Sequence, residues 1–151
     1  MRMRPPAMDL ALKEAAAAAA RGEVPVGAVI TNAAGDVLAA AGNRVRELKD
    51  PTAHAELLAI REACRRQGSE RLVDCDLYVT LEPCPMCAQA IAFARIRRLY
   101  FGAEDPKGGG VHHGPRIFSQ PTCHHRPEVY DGLGAEMAAR LLRAFFGERR
   151  D

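Results

Sequence analysis

LYVTLEPCPMC, residues 77–87, is the stretch that decides the fold, because it joins an apolar strand directly to a cysteine pair. Its first five residues are almost continuously apolar, which is typical of a strand in a sheet that is covered on both faces. Residues 84–95 have the pattern of a helix, so Cys84 and Cys87 open a helix just beyond the carboxyl end of a strand. Ligands of α/β sheets bind beyond such ends. The stretch therefore predicts a layered α/β domain with its functional site at this junction.

On both sides of this stretch the chain alternates between strand and helix patterns. The predicted strands are residues 25–31, 36–41, 77–81, 98–102 and a last short one that includes Val129 and Tyr130. The predicted helices run from just after Pro5 and Pro6 to Gly22, from residues 50–52 to near Gly68, over 84–95 and over 135–146, and residues 104–120 form a loop. Strands that alternate with helices indicate a sheet with helices on both faces.

The second predicted helix brings a histidine to a similar position. Asp50 or Thr52 is expected to be its N-cap, with Pro51 in the first turn. His54 then lies in the first turn, so two helix N-termini can point at one spot. The side chains expected to pack in the core from this helix and the next are Leu57, Ile60, Cys64, Met86, Ile91 and Phe93.

Length and composition set broad limits on the class of protein. The 151 residues are 48% hydrophobic, which suits a single domain over residues 1–151 with a sizeable core. The net charge is only +2, so nucleic-acid binding would need locally clustered charge. The five cysteines are an odd number, no secretory signal is recognisable, and no run is apolar enough to span a membrane. We therefore expect a cytoplasmic protein whose grouped cysteines bind metal rather than form disulfides.

Three side chains have the types and spacing of a zinc site. Cys84 and Cys87 lie at a helix N-terminus, where the partial positive charge favours thiolates, the form that binds metal. His54, upstream with one strand between, is the natural third ligand. Catalytic zinc keeps three protein ligands and leaves one position for a water, whose pKa falls to about 7. Glu56 can reach that water as a general acid and base without occupying the metal.

A redox pair and a closed structural zinc site are the alternatives for the cysteine pair. A redox motif has other flanking residues and lacks the upstream His-Ala-Glu. A structural site needs a fourth ligand. The candidates for it are His112, His113, Cys123, His124 and His125. We favour the open site because Glu56 and Glu82 flank the ligands, where a structural site needs no acid. Cys64 and Cys75 are expected to be small buried apolar side chains.

The residues around this site follow the signature of zinc-dependent nucleobase deaminases, His-x-Glu and then Pro-Cys-x-x-Cys. Here it reads His54-Ala55-Glu56 and Pro83-Cys84-Pro85-Met86-Cys87. Beyond this signature, the chain resembles the bacterial tRNA-specific adenosine deaminase family from Glu23 to the final helix. The stretches that carry the resemblance are 23–29 (EVPVGAV), 43–44 (NR), 50–56 (DPTAHAE), 77–84 (LYVTLEPC), 94–96 (ARI), 101–103 (FGA) and 105–107 (DPK).

This resemblance implies a three-layer α/β/α fold of the cytidine deaminase-like type, with a central mixed sheet of about five strands, and a homodimer. It implies one zinc ion per chain and hydrolytic deamination of adenosine to inosine at the wobble position, so the partner is a tRNA anticodon stem-loop. Zinc-bound hydroxide would attack C6, and Glu56 would protonate the ring nitrogen and then the leaving ammonia. The target base would be splayed out of the loop into the pocket.

The resemblance also implies which residues surround the base. The family residue that matches Asn43 hydrogen-bonds the base, and the one that matches Val26 packs near it. Backbone near Ala55 and Cys84 lines the pocket. With the Asp-Pro-Lys loop, the expected substrate-binding set is Val26, Asn43, Ala55, Asp105 and Lys107.

The chain departs from many family members after that loop, where Gly-Ala-Ala-Gly-Ser is replaced by residues 108–114 (GGGVHHG). The change lies at the rim expected to face RNA, where Lys107, Arg149 and Arg150 are the candidate phosphate contacts. A guanine or other free-base deaminase is the nearest alternative, although the first strand and the region after the third helix follow the tRNA pattern. A non-catalytic, zinc-stabilised RNA-binding module is the alternative of another class, and it would have no use for Glu56.

Overall fold

A computed structural model describes residues 5–148, and helices alternate with strands along most of this range. The helices are α1 (Pro6–Ala20), the single-turn α2 (Val45–Leu48), α3 (Ala55–Gln67), α4 (Pro85–Phe93) and α5 (Ala135–Glu148). The strands are β1 (Gly27–Thr31), β2 (Val37–Gly42), β3 (Asp76–Leu81), β4 (Arg98–Ala103) and β5 (Glu128–Tyr130), with a 3₁₀ turn at Ile117–Ser119. Every predicted strand and longer helix is present, with shifted boundaries, and α2 is an addition.

The strands form one mixed sheet in the order β2-β1-β3-β4-β5. β1 pairs antiparallel with both β2 and β3, whereas β3, β4 and β5 run parallel to one another. The β1–β2 hairpin turns at Asn32, whose Oδ1 accepts the backbone N–H groups of Ala34 and Asp36. Because the parallel strands end at the same edge of the sheet, the segments that follow β3, β4 and β5 all leave from that edge.

Helices cover both faces of the sheet, α1 and α5 on one face and α3 and α4 on the other. The alternation along β1 follows this layering. Ala28 and Ile30 belong to the larger core cluster on the α3 and α4 side, whereas Val29 packs among the residues of α1 and α5. Gly27 allows α1 to approach the sheet, since a Cβ there would lie 2.7 Å from the Ala15 backbone nitrogen. The predicted α/β/α architecture with a five-stranded mixed sheet is confirmed.

The start of α3 differs from the prediction. The helix begins at Ala55, and His54 is its N-cap rather than a residue of the first turn. Asp50 instead closes a local turn, in which its Oδ1 accepts the Thr52 backbone N–H at 2.8 Å and the Thr52 hydroxyl at 2.7 Å. The predicted caps are therefore wrong because their hydrogen-bonding capacity is used before the helix begins.

Two predicted core contacts are also wrong. The buried residues of α3 are mainly alanines, Ala55, Ala59 and Ala63, because small side chains allow close packing on the sheet. Of the residues predicted for this face, Ile60 and Cys64 are half-buried and pack against the main core cluster as predicted, whereas the half-buried Leu57 is outside that cluster. On α4, Phe93 is 69% exposed, because it falls outside the buried stripe formed by Cys87, Ala88, Ile91 and Ala92. Cys75 is buried as predicted.

Between residues 5 and 148, each helix is too short or too polar to cross a bilayer.

The predicted phosphate contacts are only partly within the described residues. Of the predicted phosphate contacts, Lys107 is exposed just beyond β4, whereas Arg149 and Arg150 lie outside the described residues.

Candidate active site

The N-terminus of α3 presents His54 to the cysteine pair. The His54 backbone is extended (φ −75°, ψ 152°), and its side chain does not cap the helix. A distant residue supplies the capping acceptor instead, since Asn43 Oδ1 accepts the Ala55 backbone N–H at 2.8 Å. Because Asn43 satisfies this N–H group, the His54 imidazole can face the cysteines.

The N-terminus of α4 presents both cysteines. Cys84 is the N-cap with an extended backbone (φ −69°, ψ 169°), and Pro85 occupies the first turn, where its missing N–H costs no hydrogen bond. Cys87 lies inside the first turn and is fully buried, whereas Cys84 is half-buried. The helix dipole therefore acts on both sulfur atoms.

His54, Cys84 and Cys87 form a cluster with the dimensions of a zinc site. His54 Nδ1 lies 3.6 Å from the Sγ atom of each cysteine. Nitrogen and sulfur ligands of tetrahedral zinc, bound at their usual lengths, lie about 3.5 Å apart. Imidazole and thiolate ligands also bind zinc in preference to harder cations such as magnesium. The donor set fits zinc with three protein ligands and one open position.

The electrostatics of this cluster favour a cation. Hydrogen bonds from Cys87 and His54 lower the pKa of the Cys84 thiol to about 4, against the opposing effect of burial. The hydrogen bond with Cys84 in turn raises the pKa of the Cys87 thiol. A hydrogen bond with Cys84 also raises the pKa of the His54 imidazole. The low pKa of Cys84 favours a thiolate at this position, the form of cysteine that binds a divalent cation.

Glu56 lies at the second residue of α3, buried against this cluster with only 4% of its surface exposed. Burial raises the pKa of its carboxyl to about 7, and the charge on Cys84 adds to this rise. The Glu56 backbone N–H, the charge of His54 and a hydrogen bond from Cys87 lower the pKa and offset part of the rise. A carboxyl with a pKa near neutrality can both accept and donate a proton, which a general acid and base requires.

A cavity of about 490 Å³ opens onto His54, Glu56 and Cys84, and its size is that of a small-ligand pocket. Of the predicted substrate-binding residues, Val26, Asn43 and Asp105 line it. Val26 and Asn43 are held together, because the Asn43 backbone N–H donates to the Val26 carbonyl at 3.1 Å. The remaining lining residues are Gly22, Glu23, Val24, Val45, Arg46, Leu81, Gly108 and Phe145.

The two other predicted substrate-binding residues lie outside this lining. Ala55 is completely buried, and its backbone N–H is bonded to Asn43. Lys107 borders a neighbouring groove of about 900 Å³ between the loop after β4 and α5, where Arg143 and Phe146 also lie. Asp105 lies between the two spaces and lines both of them.

Glu82 lies beside the ligands, but it is not directed at the metal site. Its carboxylate accepts the backbone N–H groups of Asp105 (3.0 Å), Val111 (3.1 Å), His112 (2.9 Å) and His113 (3.2 Å). The His113 ring adds a fifth contact, at 2.8 Å. Burial would raise the pKa of Glu82, but these hydrogen bonds outweigh it and lower the pKa. The sequence-based interpretation of Glu82 as an acid that marks a catalytic zinc is therefore wrong, because its carboxylate holds the 105–113 loop.

The candidates for a fourth metal ligand do not join the His54 cluster within the described residues 5–148. Cys123 Sγ donates to the His125 carbonyl at 3.1 Å, and His125 Nε2 lies 2.6 Å from the Ile96 carbonyl. His113 contacts Glu82, and His112 lies near Glu104 and Asp131. The open three-ligand arrangement is the one that the structure supports.

Among the lining residues that sequence-based reasoning missed, Glu23 and Phe145 come from different parts of the fold. Glu23 is buried, and its carboxylate accepts the backbone N–H groups of Arg46 (3.1 Å) and Glu47 (2.9 Å), which holds α2 at the rim of the cavity. Phe145 contributes a wall from α5. The position of Glu23, a charged residue directly before the apolar 24–30 run, could have drawn attention to it. The sequence held no comparable signal for Phe145.

Comparisons with known proteins agree with this geometry. Residues 1–103 match the family model of the cytidine and deoxycytidylate deaminase zinc-binding region. The chain is 62% identical over 143 residues to the tRNA-specific adenosine deaminase of Agrobacterium fabrum, covering 95% of this chain and 93% of that protein. It is 43% identical over 143 residues to the tRNA-specific adenosine deaminase of Bacillus subtilis, covering 95% of this chain and 88% of that protein.

Two solved structures of deaminases resemble this fold. A structure from a study of A-to-I editing by tRNA:A34 deaminases superimposes with a TM-score of 0.88 at 62% identity, covering 90% of this chain and 98% of that one. Guanine deaminase from Bacillus subtilis superimposes with a TM-score of 0.64 at 31% identity, covering 96% and 92%. By its zinc-binding region and its near full-length similarity to these relatives, the chain belongs to the tRNA-specific adenosine deaminase family.

Proposed function

We propose that this protein hydrolyses adenosine to inosine at the wobble position of a tRNA anticodon. The observation that carries the proposal is Glu56, a buried carboxyl whose pKa is raised to about 7 beside the His54, Cys84 and Cys87 cluster. A cavity of about 490 Å³ opens onto that cluster. The 62% identity to the Agrobacterium fabrum tRNA-specific adenosine deaminase supports the choice of substrate.

His54, Cys84 and Cys87 would hold the zinc ion, which when bound supplies a water with its pKa lowered to about 7. Glu56 would accept the proton that a water at this site gives up when the water oxygen adds to C6 of the base. It then delivers the proton to the ring nitrogen. A second proton passes through Glu56 to the exocyclic nitrogen, the C6–N bond breaks, and ammonia leaves. The net reaction consumes one water and leaves a carbonyl at C6.

The base would be oriented by residues of the cavity wall. Asn43 Oδ1 accepts the Ala55 backbone N–H, so the Asn43 amide N–H₂ group would be directed to the base, and the Val26 side chain would pack against the ring. Asp105 would act at the cavity mouth. Its Oδ1 accepts the backbone N–H groups of Lys107 (3.2 Å) and Gly108 (3.0 Å), so it shapes the loop that borders the base.

The rest of the stem-loop would follow the groove beside the cavity. Lys107 and Arg143 border that groove and would contact phosphates. Phe146, which is 48% exposed there, offers a surface for stacking an unpaired base. We place the protein in the cytoplasm, where tRNA is its partner, as a homodimer in which residues 1–151 form one catalytic domain.

Two other functions compete with this proposal. A free-base deaminase would use the same zinc chemistry, and the 31% identity to guanine deaminase keeps it as the nearest competitor. A non-catalytic RNA-binding module would also contain zinc. It would gain nothing from burying Glu56 beside an open metal position, because burial of a carboxyl without full hydrogen bonding is costly.

The deciding experiment is inosine formation by the zinc-loaded protein on an anticodon stem-loop with adenosine at the wobble position. Free adenosine, cytidine and guanine are assayed in parallel, and a stem-loop with adenosine moved to another loop position is the control. We expect inosine only in the wobble substrate. Turnover of a free base alone would establish the free-base deaminase instead, and no turnover of any substrate would favour the binding module.

A further inference from the structure

A second group of metal-ligand side chains lies apart from the His54 cluster. Glu104 directly follows β4, Asp131 directly follows β5, and His112 comes from the loop between these strands. Their ligand atoms all lie within 4.8 Å of one another. The fold creates this proximity, because β4 and β5 are adjacent parallel strands that end at the same edge of the sheet.

The imidazole-to-carboxylate distances in this group are close to those of ligands around a metal ion. His112 Nδ1 lies 3.3 Å from Glu104 Oε1 and 3.6 Å from Asp131 Oδ2. Two nitrogen or oxygen ligands bound at about 2.1 Å lie about 3.0–3.4 Å apart on a zinc ion. The His54 cluster shows the same spacing, with 3.6 Å from the imidazole to each sulfur. In each group, an imidazole nitrogen therefore lies 3.3–3.6 Å from two other ligand atoms.

The arrangement calls for a positive charge between the two carboxylates. A neutral imidazole has at most one hydrogen at Nδ1, whereas two carboxylate oxygens lie within 3.6 Å of that atom in His112. The His112 ring is held in place, because it packs edge-to-face on Phe101 with ring centroids 5.2 Å apart. Its backbone N–H is fixed by Glu82 at 2.9 Å. The imidazole therefore faces the carboxylates through packing, and not only through attraction to them.

We propose that Glu104, His112 and Asp131 bind a second divalent metal ion, of the zinc class, at the edge of the sheet. An imidazole with two carboxylates suits zinc and neighbouring transition metals better than magnesium or calcium, which prefer oxygen ligands alone. Water completes the coordination, because all three side chains are about half exposed. The ion ties the ends of β4 and β5 to the 105–113 loop, whose Asp105 and Gly108 line the cavity.

The test is calorimetric titration of zinc into protein whose His54 site is already loaded. The native chain is compared with His112→Phe, which keeps a ring against Phe101 but removes the ligand nitrogen. His124→Phe is the matched control, because it removes an exposed histidine outside both groups. We expect one further saturable equivalent of zinc in the native chain and in His124→Phe, and its loss in His112→Phe.

A second pair of variants keeps the test decisive if His112→Phe folds poorly. Glu104→Gln and Asp131→Asn remove the charges while keeping the side-chain shapes, and each is expected to weaken the second equivalent at least tenfold. Cobalt provides an independent signature, because the second equivalent should add no thiolate charge-transfer absorption. Absence of a second equivalent in the native chain, or its persistence in all three variants, would overturn the proposal.

Discussion

Two buried glutamates next in sequence to the metal-ligand cluster differ sharply in their surroundings. Glu56 and Glu82 are 4% and 2% exposed, and each lies within two residues of a cluster residue. Glu82 accepts four backbone N–H groups and a contact from His113, and these lower its pKa against the effect of burial. Glu56 has few donors, and burial raises its pKa to about 7. The comparison shows that hydrogen-bond donors, rather than depth of burial, separate a structural carboxylate from one that can exchange a proton.

The largest expected effect comes from a substitution within the His54, Cys84 and Cys87 cluster. Cys84→Ser should lose zinc and the unfolding temperature should fall, because metal binding contributes to folding. We expect zinc affinity to drop by more than about 100-fold, since loss of an outer hydrogen-bond partner alone costs about 10–100-fold. Zinc content and thermal unfolding are the measurements. Cys123→Ser, which alters a buried cysteine outside the cluster, is the control, and an unchanged zinc content in Cys84→Ser would refute the ligand set.

The comparison predicts that the same substitution, glutamate to glutamine, lowers stability much more at residue 82 than at residue 56. Glu82→Gln should lower the free energy of unfolding by about 3 kcal/mol, because charge-assisted hydrogen bonds are lost and an amide N–H₂ group meets backbone N–H donors. Glu56→Gln should change it by less than about 1 kcal/mol, since the site already tolerates a neutral carboxyl. Denaturant unfolding of the zinc-loaded proteins measures both values. Equal losses in the two variants would mean that the surroundings of the glutamates do not differ as described.

A glycine in the loop gives a sharper probe of the Glu82 contacts. A Cβ at Gly109 would lie 2.5 Å from Glu82 Cδ and 2.6 Å from the Asp105 carbonyl oxygen. Gly109→Ala should therefore cost about 1–3 kcal/mol through overpacking. Gly147→Ala is the matched control, because a Cβ there meets nothing within 4 Å and alanine favours a helix. If thermal unfolding shows the two variants to be equally stable, the loop is not packed on Glu82.

The smallest expected effect comes from a substitution near the beginning of the same loop. Lys107→Ala should leave stability unchanged and weaken stem-loop binding modestly. The dependence of log affinity on log salt should become shallower by about one unit, because one phosphate contact is lost. Binding measured at several salt concentrations tests this, with Lys13→Ala on α1 as a control. An unchanged slope would remove Lys107 from the RNA-binding surface.

The elements and the metal cluster were predictable because their signals are local. The apolar 77–81 strand, the Cys-x-x-Cys pair and the helix after it lie within a few residues of one another. The family signature also placed His54 and Glu56 near Cys84, although periodicity misplaced the start of α3. That start depends on Asn43, which reaches Ala55 from beyond β2.

The surroundings of the glutamates were not predictable, because they depend on long-range contacts. Glu82 is bound by residues 23 to 31 positions away, through backbone groups that any residue type would provide. Phe145 and Glu23 reach the cavity from α5 and from the segment before β1. The sequence showed two acidic residues near the ligands, whereas only the fold distinguishes the one that holds a loop from the one that lies beside an open metal position.

The most direct test of the central claim is the single-turnover rate of inosine formation in Glu56→Gln, on a wobble-adenosine stem-loop at verified zinc content. Glu82→Gln is measured in parallel, at a temperature where both variants are folded. A loss of about 10²–10⁴-fold is predicted for Glu56→Gln, the usual contribution of a general acid and base. Glu82→Gln is predicted to keep most of its rate. A zinc-loaded Glu56→Gln protein that forms inosine at the native rate would contradict the assignment of proton transfer to this residue.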